Sequence, residues 1–199
     1  MPSILLVCTG NICRTPLAEG FLREHLRRRF PEQRIDVSGA GVIARDGHPA
    51  TDEAIEAAWE REVDISSHRA RRLHPNLVEG ADLALGMAEE HAEEMRRLVP
   101  DAASRIFTLK ELLSLLKDLP PTEGGDELDA QSLGERLREA HELRSRRGVP
   151  SMDLDVSDPL GMSIDTYRAT AWELDTLLGQ LVEGLAGNMP ARTSMWDED

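Results

Sequence analysis

Four short apolar runs alternate with stretches whose apolar residues recur at helical spacing, and this alternation constrains the fold more than any other feature. The runs cover residues 3–7, 34–37, 81–87 and 105–108. After the first come Leu17, Phe21, Leu22 and Leu26; helical patterns over 51–61, 89–99 and 109–117 follow the other three. Runs this short between turn residues read as buried strands. Strands joined through helices pair in parallel, because a parallel connection has to cross over the sheet. The expected fold is α/β: a four-stranded parallel sheet flanked by helices in a three-layer α/β/α sandwich.

The rest of the chain is read around that frame. A long amphipathic helix over 163–185 closes a single domain of residues 1–187, and the polar segment 188–199 reads as a frayed tail. Between them lies a segment, 118–152, that opens on Pro120-Pro121 and carries Leu133, Leu137 and His141 at helical spacing. It is expected to be an insertion with its own charged helix over 133–147, either a solvated excursion or a lid near Asp158. The net charge of −14, from 23 basic and 37 acidic residues, argues against nonspecific nucleic-acid binding. No apolar run reaches the length of a membrane span. The first residues read as a strand rather than a signal peptide, and with only two cysteines the expected location is the reducing cytoplasm.

The first strand runs into Cys8-Thr9-Gly10-Asn11-Ile12-Cys13-Arg14-Thr15-Pro16. Thr15 as N-cap with Pro16 at the first helical position predicts a helix start there. A loop between a strand end and a helix N-terminus presents backbone N–H groups and the positive end of a helix dipole, which suits a phosphate dianion. The same field favours the thiolate form of Cys8, and Arg14 offers a planar fork for two phosphoryl oxygens. Taken alone, a cysteine at a strand end reads as a small buried hydrophobe. With Gly10, Arg14 and a helix start beside it, Cys8 reads as a nucleophile. An ATP-binding loop is excluded, since no Gly-x-x-x-x-Gly-Lys run follows the strand. No metal is implied, because Cys8 and Cys13 lack a second ligand pair. A nucleophile that expels an alkoxide or phenolate needs a general acid. Asp153, Asp155 and Asp158 are the candidates, and Asp158 stands out because Pro159 stiffens its loop.

These residues resemble the low-molecular-weight protein tyrosine phosphatase family. The resemblance rests on the segment from Val7 to Glu19, on Val37-Ser38, Ser67-His68-Arg69-Ala70-Arg71, Ala81-Asp82-Leu83, and on Asp158-Pro159 through Tyr167. It implies Cys8 as nucleophile, Arg14 as phosphate clamp and Asp158 as acid and then base. Phosphate would be held by Thr9, Gly10, Asn11, Ile12, Cys13 and Arg14, with no cofactor. Asn11, Thr15, Ser38 and His68 would brace the loop. Thr15 stands where the family usually has Ser, and its hydroxyl would donate to the thiolate. Cys13 would be the redox partner that traps oxidised Cys8 as a disulfide. The implied partner is a phosphorylated protein, with neither nucleic acid nor membrane.

Other readings remain beside it. Thiol-dependent arsenate reductases have a similar loop but relay oxidation through further cysteines, and none follows Cys13. A catalytically dead phosphate-binding module would have no need of Cys8, Arg14 and Asp158 together. Protein arginine phosphatases resemble Phe107-Thr108-Leu109-Lys110-Glu111 and Ser163-Ile164-Asp165 through Tyr167. That branch carries Thr where this chain has Ile12. An apolar wall suits an aromatic ring, whereas a buried guanidinium without partners is costly. Phosphotyrosine is therefore the expected substrate and phosphoarginine the alternative.

Overall fold

The structure, a computed structural model, describes residues 1–122, 127–148 and 153–188. Four strands, β1 (Ser3–Cys8), β2 (Asp36–Gly41), β3 (Leu83–Gly86) and β4 (Ile106–Thr108), form one parallel sheet in the order β2-β1-β3-β4. Helices α1 (Arg14–Arg29), α2 (Asp52–Trp59), α3 (Pro75–Glu79), α4 (Glu89–Leu98), α5 (Leu109–Lys117), α6 (Ala130–Arg147) and α7 (Ile164–Leu185) surround it, with a 3-10 turn at Pro100–Arg105. Side chains of β1 alternate between the two faces, as strand geometry requires. Ile4, Leu6 and Cys8 join a core with residues of α1, α2, α5, α6 and α7, while Leu5 and Val7 join a smaller one with α3 and α4. The α/β/α sandwich and all four strands are thus as expected. A parallel sheet covered on both faces tolerates the nearly continuous apolar runs seen in β1 and β3.

The strand order explains where Cys8 lies. From β1 the chain passes to β2 on one side, then returns to β3 on the other. Connections diverging from β1 leave a crevice beyond its carboxyl end, where ligands bind in sheets of this kind. Cys8 is the last residue of β1, paired with Gly41 of β2.

Three expectations need correction. β2 does not stop at Val37 but runs through Ser38-Gly39-Ala40-Gly41. The glycines act there as small strand residues: a Cβ on Gly39 would stand 2.1 Å from Glu19 Oε1 and 2.4 Å from Thr15 Cγ2. Secondly, Cys13 rather than Thr15 is the N-cap of α1, so Pro16 is its third residue. Pro16 still falls in the first turn, where its missing N–H removes no helical hydrogen bond.

The third correction concerns α6, which is neither a solvated excursion nor a lid. A capping box between Asp129 and Ser132 starts it, and Leu133, Leu137, Ala140 and Leu143 are buried in the main core. Each large side chain so buried contributes roughly 1.5–3 kcal/mol. Arg144 donates to the carbonyls of Ala103 and Ile106, both at 2.8 Å, and lies over the Phe107 ring. Arg144 thereby ties α6 to a carbonyl of β4, the edge strand of the sheet, and to the 3-10 turn that precedes it. Of the expected tail, 188–199, Asn188 N–H donates to Glu183 O at 2.9 Å, and 189–199 lie outside the described residues.

Candidate active site

The loop from Cys8 to Cys13 is held by its carbonyls. Val42 N–H donates to Cys8 O and Ile43 N–H to Thr9 O, each at 3.0 Å; Thr51 N–H donates to Ile12 O at 2.9 Å. His68 Nε2 lies 2.8 Å from Asn11 O, and since a carbonyl only accepts, Nε2 carries the proton. In a trans peptide the C=O and the following N–H point opposite ways. Four carbonyls drawn outward thus turn the N–H groups of Thr9, Gly10, Ile12 and Cys13 toward the concave side, the arrangement an anion needs. Asn11 sits at φ 53°, a left-handed conformation that Asn tolerates better than most residues. Its side chain is fully buried, its Oδ1 accepts from Arg71 N–H at 2.9 Å, and its own N–H reaches Cys8 Sγ at 3.3 Å.

Arg14 is buried on the first turn of α1. It donates through one terminal nitrogen to Val156 O at 3.1 Å, and through the other to Thr9 Oγ1 at 3.1 Å and Asp158 Oδ2 at 2.5 Å. The second Asp158 oxygen accepts Leu160 N–H at 3.2 Å. The structure thus brings together Cys8, Arg14 and Asp158 from opposite ends of the chain. Among the other two acids considered, Asp155 is turned away, with Oδ1 accepting Glu89 N–H and its carbonyl accepting Lys110 Nζ. Asp153 Oδ1 accepts Asp155 N–H.

Of the four residues expected to brace the loop, Asn11 and His68 do so through the bonds above. Thr15 and Ser38 do not, and both expectations are corrected. Thr15 Oγ1 is buried without a partner among the described residues, its methyl group packed toward Gly39; the contact to the Cys8 sulfur comes from Asn11 N–H. Ser38 forms no hydrogen bond to the loop. It lines a separate cleft of about 680 Å³ behind the loop, together with Glu19, His68 and Arg71; none of residues 8–15 lines that cleft. Burial there raises the Glu19 carboxyl above the usual carboxylate range, although Arg23 opposes the shift.

Cys13 is also buried, with Sγ 3.4 Å from the Tyr167 hydroxyl and 3.7 Å from Thr51 Oγ1. Burial pushes its thiol upward and the Tyr167 phenol up to about 12. Neither cysteine is in a disulfide.

Sequence reasoning missed His91, in the first turn of α4. It is almost fully buried, and its Nε2 lies 3.0 Å from Thr9 Oγ1. Burial and the nearby Arg14 charge lower it to about 4, so it is neutral near pH 7. Thr9 Oγ1 accepts from Arg14 and lies within hydrogen-bonding distance of His91 Nε2, which also faces Glu90 Oε1 at 3.4 Å. The outcome is a chain of bonds from His91 through Thr9 to Arg14. The signal available in the sequence was positional: His91 follows closely on β3, the neighbour of β1.

The cavity that contains Cys8 and Arg14 has a volume of about 290 Å³. Ile12, Ile43 and Leu160 give it apolar walls, and Arg45, His48 and Asp158 also line it. Ile43 and Leu160 are both more than half exposed, so the apolar walls open to solvent.

A thiol at the end of a central parallel strand, in an anion-ready loop with a buried arginine, defines a cysteine-based phosphatase. Residues 3–126 match the family described as low molecular weight phosphotyrosine protein phosphatase, and the chain belongs to that family. Over 182 residues it is 31% identical to a protein-arginine-phosphatase of Bacillus subtilis, covering 92% of this chain and 95% of the relative. It is 38% identical over 110 residues to a probable low molecular weight protein-tyrosine-phosphatase of Ralstonia solanacearum, covering 55% and 72%. The solved structure of a low molecular weight protein tyrosine phosphatase from T. tengcongensis superposes with a TM-score of 0.68 at 32% identity, covering 92% of this chain and 99% of the other. Among the described residues no helix is long and apolar enough to cross a membrane.

Proposed function

We propose that the protein hydrolyses phosphotyrosine in protein substrates, through a phosphocysteine intermediate on Cys8. The observation that carries this reading is the cavity at Cys8, whose walls are Ile12, Ile43 and Leu160. An aromatic ring gains from such walls in proportion to the apolar area it buries.

In the proposed reaction the Cys8 thiolate attacks phosphorus in line. The S–P bond forms as the bond to the tyrosine oxygen breaks, and Asp158 gives its proton to that oxygen. Arg14 and the loop N–H groups stabilise the equatorial oxygens. The incoming phosphoryl group takes over the guanidinium that now holds Asp158, and the freed carboxylate takes up a proton from solvent beside the dianion before it gives that proton to the leaving oxygen. Tyrosine left as a phenolate would have to leave at a conjugate pKa of about 10, which makes the acid necessary near neutrality. Ionised Asp158 then takes a proton from water, the oxygen attacks phosphorus, and the S–P bond breaks to release phosphate and the thiolate. Cys13 serves as the partner that captures oxidised Cys8. A thiol nucleophile keeps its activity only under reducing conditions, which supports the cytoplasm as the location.

Hydrolysis of phosphoarginine is the second reading. It is favoured by one finding: the Bacillus subtilis relative, aligned along 92% of this chain, is an arginine phosphatase. Against it stands Ile12 in the cavity wall, whose apolar side chain offers a guanidinium no hydrogen bond. The test is kcat/KM on matched phosphotyrosine and phosphoarginine peptides, for wild type and Ile12→Thr. Wild type should prefer phosphotyrosine, and the variant should move toward phosphoarginine. A wild-type preference for phosphoarginine would overturn the substrate while leaving the thiol chemistry standing.

A further inference from the structure

One wall of the cavity is the segment 42–50, and it is unusually well fixed for a surface loop. Val42 and Ile43 donate to the phosphate loop at one end, and Thr51 donates to Ile12 at the other. Between them Gly47 N–H donates to Ala70 O, Ala70 N–H to His48 O, and Arg72 N–H to Asp46 Oδ1. Arg45 and His48 project from this braced segment. Both line the cavity that holds Cys8, and both are exposed.

Their side chains make no hydrogen bond or ion pair among the described residues. Arg14, Arg61 and Arg168 find carboxylates elsewhere in the molecule, whereas Arg45 and His48 stand open beside the cavity at Cys8. Turnover of a small aryl phosphate has no use for two unpaired cationic or donor groups beside the cavity. We propose that Arg45 and His48 receive an acidic side chain of the substrate protein, within two positions of the phosphorylated residue. The proposal rests on the reading of the site as a protein phosphatase.

The reach follows from geometry, since an extended chain advances about 3.3 Å per residue and both groups border the same cavity as Cys8. Arg45 offers a planar fork that matches a carboxylate in bidentate fashion. Asp158, preceded by Asp155 and Asp153, also borders the cavity and repels an acidic side chain, so the acidic flank is directed toward Arg45. The molecule as a whole is strongly negative and gives no long-range attraction, so the preference has to be local.

The experiment uses phosphotyrosine peptides that differ only in Glu or Gln at each of the two positions on either side of the phosphorylated residue. The quantity read is the ratio of kcat/KM for the Glu peptide to that for the Gln peptide, within each enzyme. Exposed pairs of this kind give about two- to fivefold, so wild type should favour Glu by that factor at one or more positions. The ratio should fall to about one in Arg45→Gln and below one in Arg45→Glu. Raising salt to about 1 M, where the Debye length is about 3 Å, should also pull the wild-type ratio toward one. A wild-type ratio of one at every position, or a ratio that survives Arg45→Glu, would overturn the proposal and leave the phosphotyrosine reading intact. Repeating the series with phosphoarginine peptides separates the two claims. Faster turnover there, with the same Arg45-dependent Glu preference, would overturn phosphotyrosine and leave the acidic-flank contact standing.

Discussion

Replacing Asp158 by Asn should change two measurable quantities in opposite directions. In the structure the carboxylate holds a buried guanidinium at 2.5 Å, and its own side chain is 40% exposed. An ion pair at ~4 Å would be worth ~4 kcal/mol at an effective dielectric of 20. With one partner this exposed, the net contribution is nearer ~1 kcal/mol. A neutral amide in place of the carboxylate would no longer compete with phosphate for Arg14, nor repel the dianion. Inorganic phosphate or vanadate should therefore inhibit the variant about fivefold more strongly, the factor that ~1 kcal/mol represents. Catalysis should move the other way. General-acid assistance is worth about 10²–10⁴-fold where the leaving oxygen is strongly basic, so phenyl phosphate turnover should fall by that factor and p-nitrophenyl phosphate turnover far less. The assay is kcat on both esters, together with the inhibition constant for phosphate. Equal losses on the two esters, or weaker phosphate inhibition, would refute the assignment. Neither alternative acid is well placed to rescue it, since Asp158 lines the cavity at Cys8 and neither Asp155 nor Asp153 does.

Three further outcomes are expected. Cys8→Ser should lose turnover yet still bind phosphate, because Arg14 and the loop N–H groups remain; calorimetric titration with phosphate and a rate assay read both, and substantial residual turnover would exclude Cys8 as nucleophile. Mild peroxide should inactivate the enzyme, and a thiol reductant should restore it through a Cys8–Cys13 disulfide visible by peptide mass mapping; recovery undiminished in Cys13→Ser would remove Cys13 from that role. His91 is lowered to about 4 in the fold against about 6.5 unfolded, so between those values the unfolded chain binds more protons and stability falls as pH falls, by up to about 3 kcal/mol. Urea midpoints between pH 7 and pH 4.5 should therefore drop more steeply in wild type than in His91→Gln, and equal slopes would show that His91 is not responsible.

The strands and most helices were legible because their signals are local. Each strand is a short apolar run and each following helix has its own spacing, so the order of elements follows from patterns a few residues wide. The core of the site was legible for a similar reason: Cys8, Gly10, Arg14 and the start of α1 lie in one stretch of chain. α6 was misread because its buried positions are few among many charges, and five arginines and three glutamates make it resemble a solvated helix. Its charges are partly internal, however. Arg136 donates to Gly184 O and Pro120 O, and Arg144 to Ile106 O and Ala103 O. A charged side chain that satisfies main-chain carbonyls cannot be told from a solvated one without its partners.

The same limit explains the residues that complete the site. Asn11 O, Thr9 O, Cys8 O and Ile12 O are bonded by His68, Ile43, Val42 and Thr51, residues 34 to 57 positions away along the chain. Nothing in the loop itself says which way its carbonyls turn, and that direction decides whether the loop presents N–H groups or C=O groups to an anion. The anion site is therefore a property of the sheet as much as of the loop. β2 carries Val42 and Ile43 past the end of β1, and its Gly39 leaves room for Glu19, Thr15 and Asn11. A Cβ at Gly39 would meet three of these side chains within 2.8 Å and would push on Asn11, whose backbone and side chain both brace the loop. The local motif supplies the reactive groups, and the parallel pairing of β1 with β2 supplies the orientation that lets them act on one phosphoryl group.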